Sequence, residues 1–126
     1  MTRIYVPATL HLLAGLDAHR SMPVGADVVI APDESEECEY DALMTAAETS
    51  AVLAAELDPG ERRRVVVVAE VTGSPETLAD TLDVVDLADV VAVHADLDDL
   101  PPGSDPEDLG DLGWYATQEI PALLEG

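Results

Sequence analysis

His94 and Asp96 are the residues of this sequence whose types and spacing most directly invite chemistry. They stand two apart at the end of Val90-Val91-Ala92-Val93-His94, a run that reads as a strand, so both side chains fall on one face. An imidazole beside a carboxylate can hold a metal or move a proton. The pair is too small for a structural metal site, which takes about four ligands, and His11 and His19 lie far away near a first helix. No metal or cofactor is therefore expected. The plainer alternative is a satisfied histidine at a strand end.

A second set is Tyr115, Thr117, Gln118 and Glu119, mostly neutral hydrogen-bonding side chains in an otherwise acidic sequence, which reads as a pocket or interface. It adjoins Trp114, the single Trp of a chain with three Tyr and no Phe. Such scarce aromatics are expected in packing, with Trp114 and Ile120 pinning a terminal helix to the core. The third set is Arg62, Arg63 and Arg64. It is read either as a group of surface ion pairs or as a docking patch for a partner.

Weaker patterns fail on their own chemistry. Cys38 sits among Glu34, Glu36, Glu37, Glu39 and Asp41, whose like charge disfavours a thiolate nucleophile. Asp96, Asp98 and Glu107 fit the spacing of a calcium loop, but Leu100 replaces a ligand and Pro101 the turn glycine. Gly73-Ser74 is one glycine without a lysine, a turn rather than a phosphate cradle. No set of nucleophile, base and oxyanion donors is complete. Whether the chain is an enzyme stays open, with a non-catalytic role preferred.

The elements that must position these groups follow from periodicity and punctuation. Arg3-Ile4-Tyr5-Val6 predicts a strand stopped by Pro7, and Thr9 caps a helix carrying Leu10, Leu13 and Leu16. A strand over residues 27–31 completes a βαβ unit. The pairing among the first three strands is then expected to be parallel. Asp33 or Ser35 caps a long helix to about Leu57, with Tyr40, Leu43, Met44, Ala47, Ala51, Ala54 and Ala55 as its apolar stripe.

Asp58-Pro59-Gly60 ends that helix, and Val65-Val66-Val67-Val68-Ala69 is an inner strand without a polar face. Residues 76–86 admit a helix after Ser74-Pro75 or a strand, and residues 90–95 form a strand. The stretch near 96–111 is an acidic, Pro-rich loop, followed by a helix through Trp114 and Ile120 interrupted at Pro121. The sum is one α/β domain over residues 1–126: a mixed sheet of about four to five strands, two main helices and a short C-terminal helix.

Two blocks, Arg3-Ile4-Tyr5-Val6-Pro7-Ala8-Thr9-Leu10 and Trp114-Tyr115-Ala116-Thr117-Gln118-Glu119-Ile120-Pro121, with Val93-His94-Ala95-Asp96 between them, resemble a family of small actinobacterial proteins classed as a domain of unknown function. The order of the blocks extends the resemblance over nearly the whole chain. Gly110 and Gly113 depart from it, standing where better helix formers are expected. The resemblance implies kinship without a reaction.

Charge bounds the partners. Asp and Glu number 27 against 5 Arg and no Lys, a net charge of -22, while apolar residues make up 48% and can fill a core. Direct binding to nucleic acid is disfavoured, because phosphate contacts rest on Lys and Arg. The chain has no apolar run of membrane-spanning length and no leader pattern, and its lone Cys38 suits a reducing compartment, so a cytoplasmic location is expected. The reading that unites these features is an acidic interaction or regulatory module that meets a protein partner with a basic surface. Homo-oligomerisation stays open. The competing reading is a small enzyme, or a small-molecule or metal-binding protein, with its site between His94, Asp96 and the terminal segment.

Overall fold

The computed structural model describes residues 1–25, 27–57, 61–96 and 112–125. The elements follow in the order β1 (Thr2–Ala8), α1 (Leu10–His19), β2 (Ser21–Pro23), β3 (Val29–Ile30), α2 (Glu36–Ala55), β4 (Val65–Val71), α3 (Pro75–Thr81), β5 (Val84–Asp86), β6 (Val90–Ala95), β7 (Gly113–Tyr115) and α4 (Ile120–Glu125). The main sheet has the order β3-β1-β4-β6-β7, and β2 pairs with β5 in a second, two-stranded sheet. The α/β class, the five strands and the short C-terminal helix agree with expectation. The expected helix stop at Asp58-Pro59-Gly60 lies outside the described residues, as does the acidic stretch after Asp96 with its calcium-like spacing.

Every pairing in the main sheet is antiparallel, so the expected parallel pairing is corrected. The error lay in the segment after α1. Ser21–Pro23 forms β2, which leaves the main sheet for β5, and the chain reaches β3 only afterwards. β3 then returns against β1 with Ile4 opposite Ile30. A three-residue strand in which only Met22 is buried leaves little periodicity to read.

Pro7 lies inside β1 rather than stopping it. Ala31 donates its N–H to the Arg3 carbonyl, so residues of that parity turn their backbone groups toward β3. β3 pairs only with Ile4 and Tyr5. The N–H that Pro7 lacks would point past the end of β3, where no ladder bond is lost.

The valine run forms the central strand β4 with both faces covered, as its unbroken apolar character demands. One face carries Ile4, Val6, Val65, Val67 and Val93, packed with Leu13 and Leu16 of α1, Val85 of β5, and Ile120 and Leu123 of α4. The opposite face carries Tyr5, Val66, Val68 and Ala92 beneath Ala42, Ala46 and Ala47 of α2. Ser35 caps α2 by accepting the Cys38 N–H, and Glu36, Glu37 and Glu39 favour its positive end.

The buried stripe of α2 is Ala42, Ala46, Ala47, Ser50, Ala51 and Ala54. It is rotated from the expected one, because small residues let the helix lie close to the sheet. Tyr40, Leu43 and Met44 are thereby carried to the helix's flank. Ser50 is fully buried, and its hydroxyl donates to the Ala8 carbonyl at 2.7 Å while accepting the Val65 N–H at 2.8 Å. It thus fills the gap where β1 and β4 part.

The open reading of residues 76–86 resolves into both alternatives in succession. Ser74 caps α3 with Pro75 in its first turn, and β5 follows two residues after the helix ends. The expected helix through Trp114 is corrected: Gly113–Tyr115 is an edge strand, Thr117–Glu119 a single 3-10 turn, and α4 starts only at Ile120. Glycine at 113 disfavours helix, and Pro121 falls in the first turn of α4, where its missing N–H costs nothing.

Candidate functional site

Helix α2 packs on β3, β1 and β4. Beside it, toward the outer strands β6 and β7, lies a cleft of about 300 Å³ lined by Tyr40, Leu43, Met44, Arg64, His94, Leu112 and Trp114. The strand register explains the lining. Val66 stands opposite His94, and His94 opposite Trp114, so one row crosses three strands on the face that α2 shares.

Two aromatic rings border this cleft in the open. Trp114 is 62% exposed and Tyr40 57% exposed. Trp114 therefore does not anchor the terminal segment, contrary to expectation; Ile120, 1% exposed, does. The physical reason is strand alternation: a strand sends neighbours to opposite faces. Tyr115 packs on the core beside Val93, and Trp114 must point to the other side.

His94 is half-buried, and that burial lowers its imidazole pKa from the ordinary histidine value, favouring the neutral ring. Asp96 lies on the same strand face but is committed elsewhere. Its Oδ2 accepts the Arg64 main-chain N–H and Nε, each at 2.9 Å, and its Oδ1 accepts Nη2 at 2.8 Å. Arg64 is 3% exposed. This buried, bidentate pair ties the entrance of β4 to the exit of β6.

The three arginines are not presented side by side as one exposed surface, since Arg62 and Arg63 are half-buried and Arg64 is buried. Arg64 is buried against Asp96, and the Arg62 Nε donates to the Leu57 carbonyl at 2.7 Å. Arg63 is likewise engaged within the chain.

The terminal set also divides. Thr117 donates its hydroxyl to the Val90 carbonyl at 2.8 Å, holding the 3-10 turn against β6. Ala116 and Glu119 close that turn reciprocally, the Ala116 N–H reaching the Glu119 carboxylate and the Glu119 N–H the Ala116 carbonyl. Gln118 is exposed, and Tyr115 lies on the face opposite His94. Of the sequence-derived residues, only His94 and Arg64 line the cleft. Tyr40, Leu43, Met44 and Trp114 were absent from the chemical sets. The alternation of Gly113, Trp114 and Tyr115 was the signal that could have turned Trp114 outward.

A larger hollow of about 540 Å³ lies at another part of the molecule, among Thr2, Arg3, Asp33, Glu34, Glu39 and Glu70. Arg3 bridges Glu70 at 2.6 Å and Glu39 at 3.1 Å, and the Glu70 hydrogen bond holds its guanidinium above its ordinary pKa. Its cation is thus shared between two carboxylates. Among the described residues, no three of His, Cys, Asp and Glu are placed to hold a metal ion, and no helix is long and apolar enough to cross a membrane.

Residues 2–124 match a family of unknown function (DUF6912), and the chain belongs to it, in keeping with the kinship implied by its sequence blocks. No curated protein and no solved structure matches the chain.

Proposed function

We propose that this member of a family of unknown function is a non-catalytic interaction module, which receives a cationic protein segment in the cleft between α2 and the β6–β7 edge. The observation that carries the reading is the exposure of the sole tryptophan, 62%, beside an equally open Tyr40. Aromatic rings left in water are the residues that most often concentrate binding energy. A partner of opposite sign suits a chain of charge -22. Exposed Glu36 and Glu37 lie one helical turn from Tyr40, so a lysine or arginine approaching the rings also meets carboxylates. We place the module in the cytoplasm, in keeping with its single cysteine.

The alternative of a small-molecule, metal or catalytic site at His94, Asp96 and the terminal segment has less support. Asp96 is held by three hydrogen bonds from Arg64, Thr117 fastens the 3-10 turn to β6, and Glu119 closes that turn. The test uses a fluorescein-labelled ten-residue peptide of alternating arginine and valine, followed by anisotropy. Trp114→Ala and Tyr40→Ala leave the net charge unchanged, and each should weaken binding by about tenfold or more, as aromatic anchors do. Equal affinity for both variants and the wild type would mean bulk electrostatics alone and would reject the cleft.

A further inference from the structure

The geometry points to a mode of recognition: we infer that the cationic segment adds to the main sheet as a sixth strand, pairing with the outer edge of β7 at Trp114 and with Leu112 just before that strand. The inference rests on the docking reading above and goes beyond it by naming the backbone as a recognition element.

The ladder decides which way the backbone of β7 points. Asp96 donates its N–H to the Arg64 carbonyl at 3.1 Å, so residues of that parity in β6, His94 among them, turn their N–H and C=O toward β4. Trp114 stands directly opposite His94. It is thus the non-hydrogen-bonded partner in an antiparallel pair, and its own N–H and C=O point away from β6, out of the sheet. No described residue receives them. Leu112 precedes Trp114 by two residues and lines the same cleft, continuing this row. On the other side the row ends at Ala116, whose N–H and C=O are both taken by Glu119.

Edges of this kind are normally blunted by charge, proline, a bulge or a covering element. Leu112-Gly113-Trp114-Tyr115 contains no charge and no proline, and the pairing of Gly113–Tyr115 with β6 is regular. The opposite edge differs, because β3 packs with both α2 and α3. An added strand would set alternate side chains on the α2 side, next to Trp114. There the main chain supplies affinity and the aromatic rings select the side chain. Charge chooses the occupant. A second copy brings another -22 to the same edge, whereas a segment with Arg or Lys at alternate positions relieves repulsion.

The experiment compares the same arginine–valine peptide with two twins N-methylated on alternate backbone amides, one in each register, while amide exchange is read residue by residue on the ¹⁵N-labelled chain. Saturation with the plain peptide should slow exchange at Trp114 and Leu112 by about tenfold or more, as new ladder bonds protect amides. One methylated twin should bind at least about tenfold more weakly than the other, because only one set of peptide amides faces β7. If the plain peptide binds and depends on Trp114, yet both twins bind equally and the two amides stay unprotected, strand addition is overturned while docking in the cleft stands. If no peptide binds, both readings fall. If the chain alone sediments as a dimer with these amides protected, a second copy is the occupant and the cationic strand is overturned.

Discussion

His94 shows how far residue types can be read before their surroundings are known. Its place on one strand face with Asp96 follows from a spacing of two, but the partner of Asp96 is Arg64, 32 residues earlier, which only the β4–β6 register reveals. Burial lowers the His94 pKa, and this has a definite consequence for stability. Above the unfolded value near 6.5 both states carry a neutral ring, and the folded state keeps its full stability. As pH falls through that value the unfolded chain gains a proton that the folded site resists, and stability is lost until the folded site is itself protonated. His94→Gln should therefore lose less stability than the wild type when urea midpoints are compared from pH 8 to pH 5. Identical pH slopes would reject a resisting site. The other two histidines, both exposed, are common to the two proteins and cancel.

The elements were legible where local signals agreed and illegible where the third dimension chose between them. The capping serines at 35 and 74, the acids opening α2 and the valine run of β4 all declare themselves. The fork at 76–86 could not be resolved as one element because it contains two. Helical spacing placed Tyr40 and Met44 in the buried stripe, yet the alanine face won, since it brings the helix nearest to the strands. Ser50, in the midst of that face, is the least visible contributor. Its replacement by alanine leaves the Ala8 carbonyl and the Val65 N–H without their partner in a dry interior. Ser50→Ala should cost about 1–3 kcal/mol in urea unfolding with an unchanged m value. A loss within error of zero would show that the strand ends close up without the hydroxyl.

At the scale of the whole molecule the sum of charges governs both stability and encounter. Of the five arginines, Arg3 and Arg64 are bound to Glu39, Glu70 and Asp96 within the fold, so much of the acidic surface repels itself. Sodium chloride shortens the screening length from roughly 10 Å at 0.1 M to 3 Å at 1 M. The melting temperature should rise over that range while affinity for the arginine–valine peptide falls. A melting temperature that stays flat or drops would mean self-repulsion is not a significant cost. The order of strands adds a temporal dimension. β1 is made first, yet its seven-residue ladder waits for β4, whose Val71, the partner of Thr2, is made 69 positions later in chain growth. From β4 outward, β6 and then β7 are laid down in order of synthesis, each serving as the sheet's border until its successor emerges. Among the described strands β7 is thus the last laid down on this side of the sheet, and its outer edge at Trp114 is where the proposed cationic strand would continue the same outward growth.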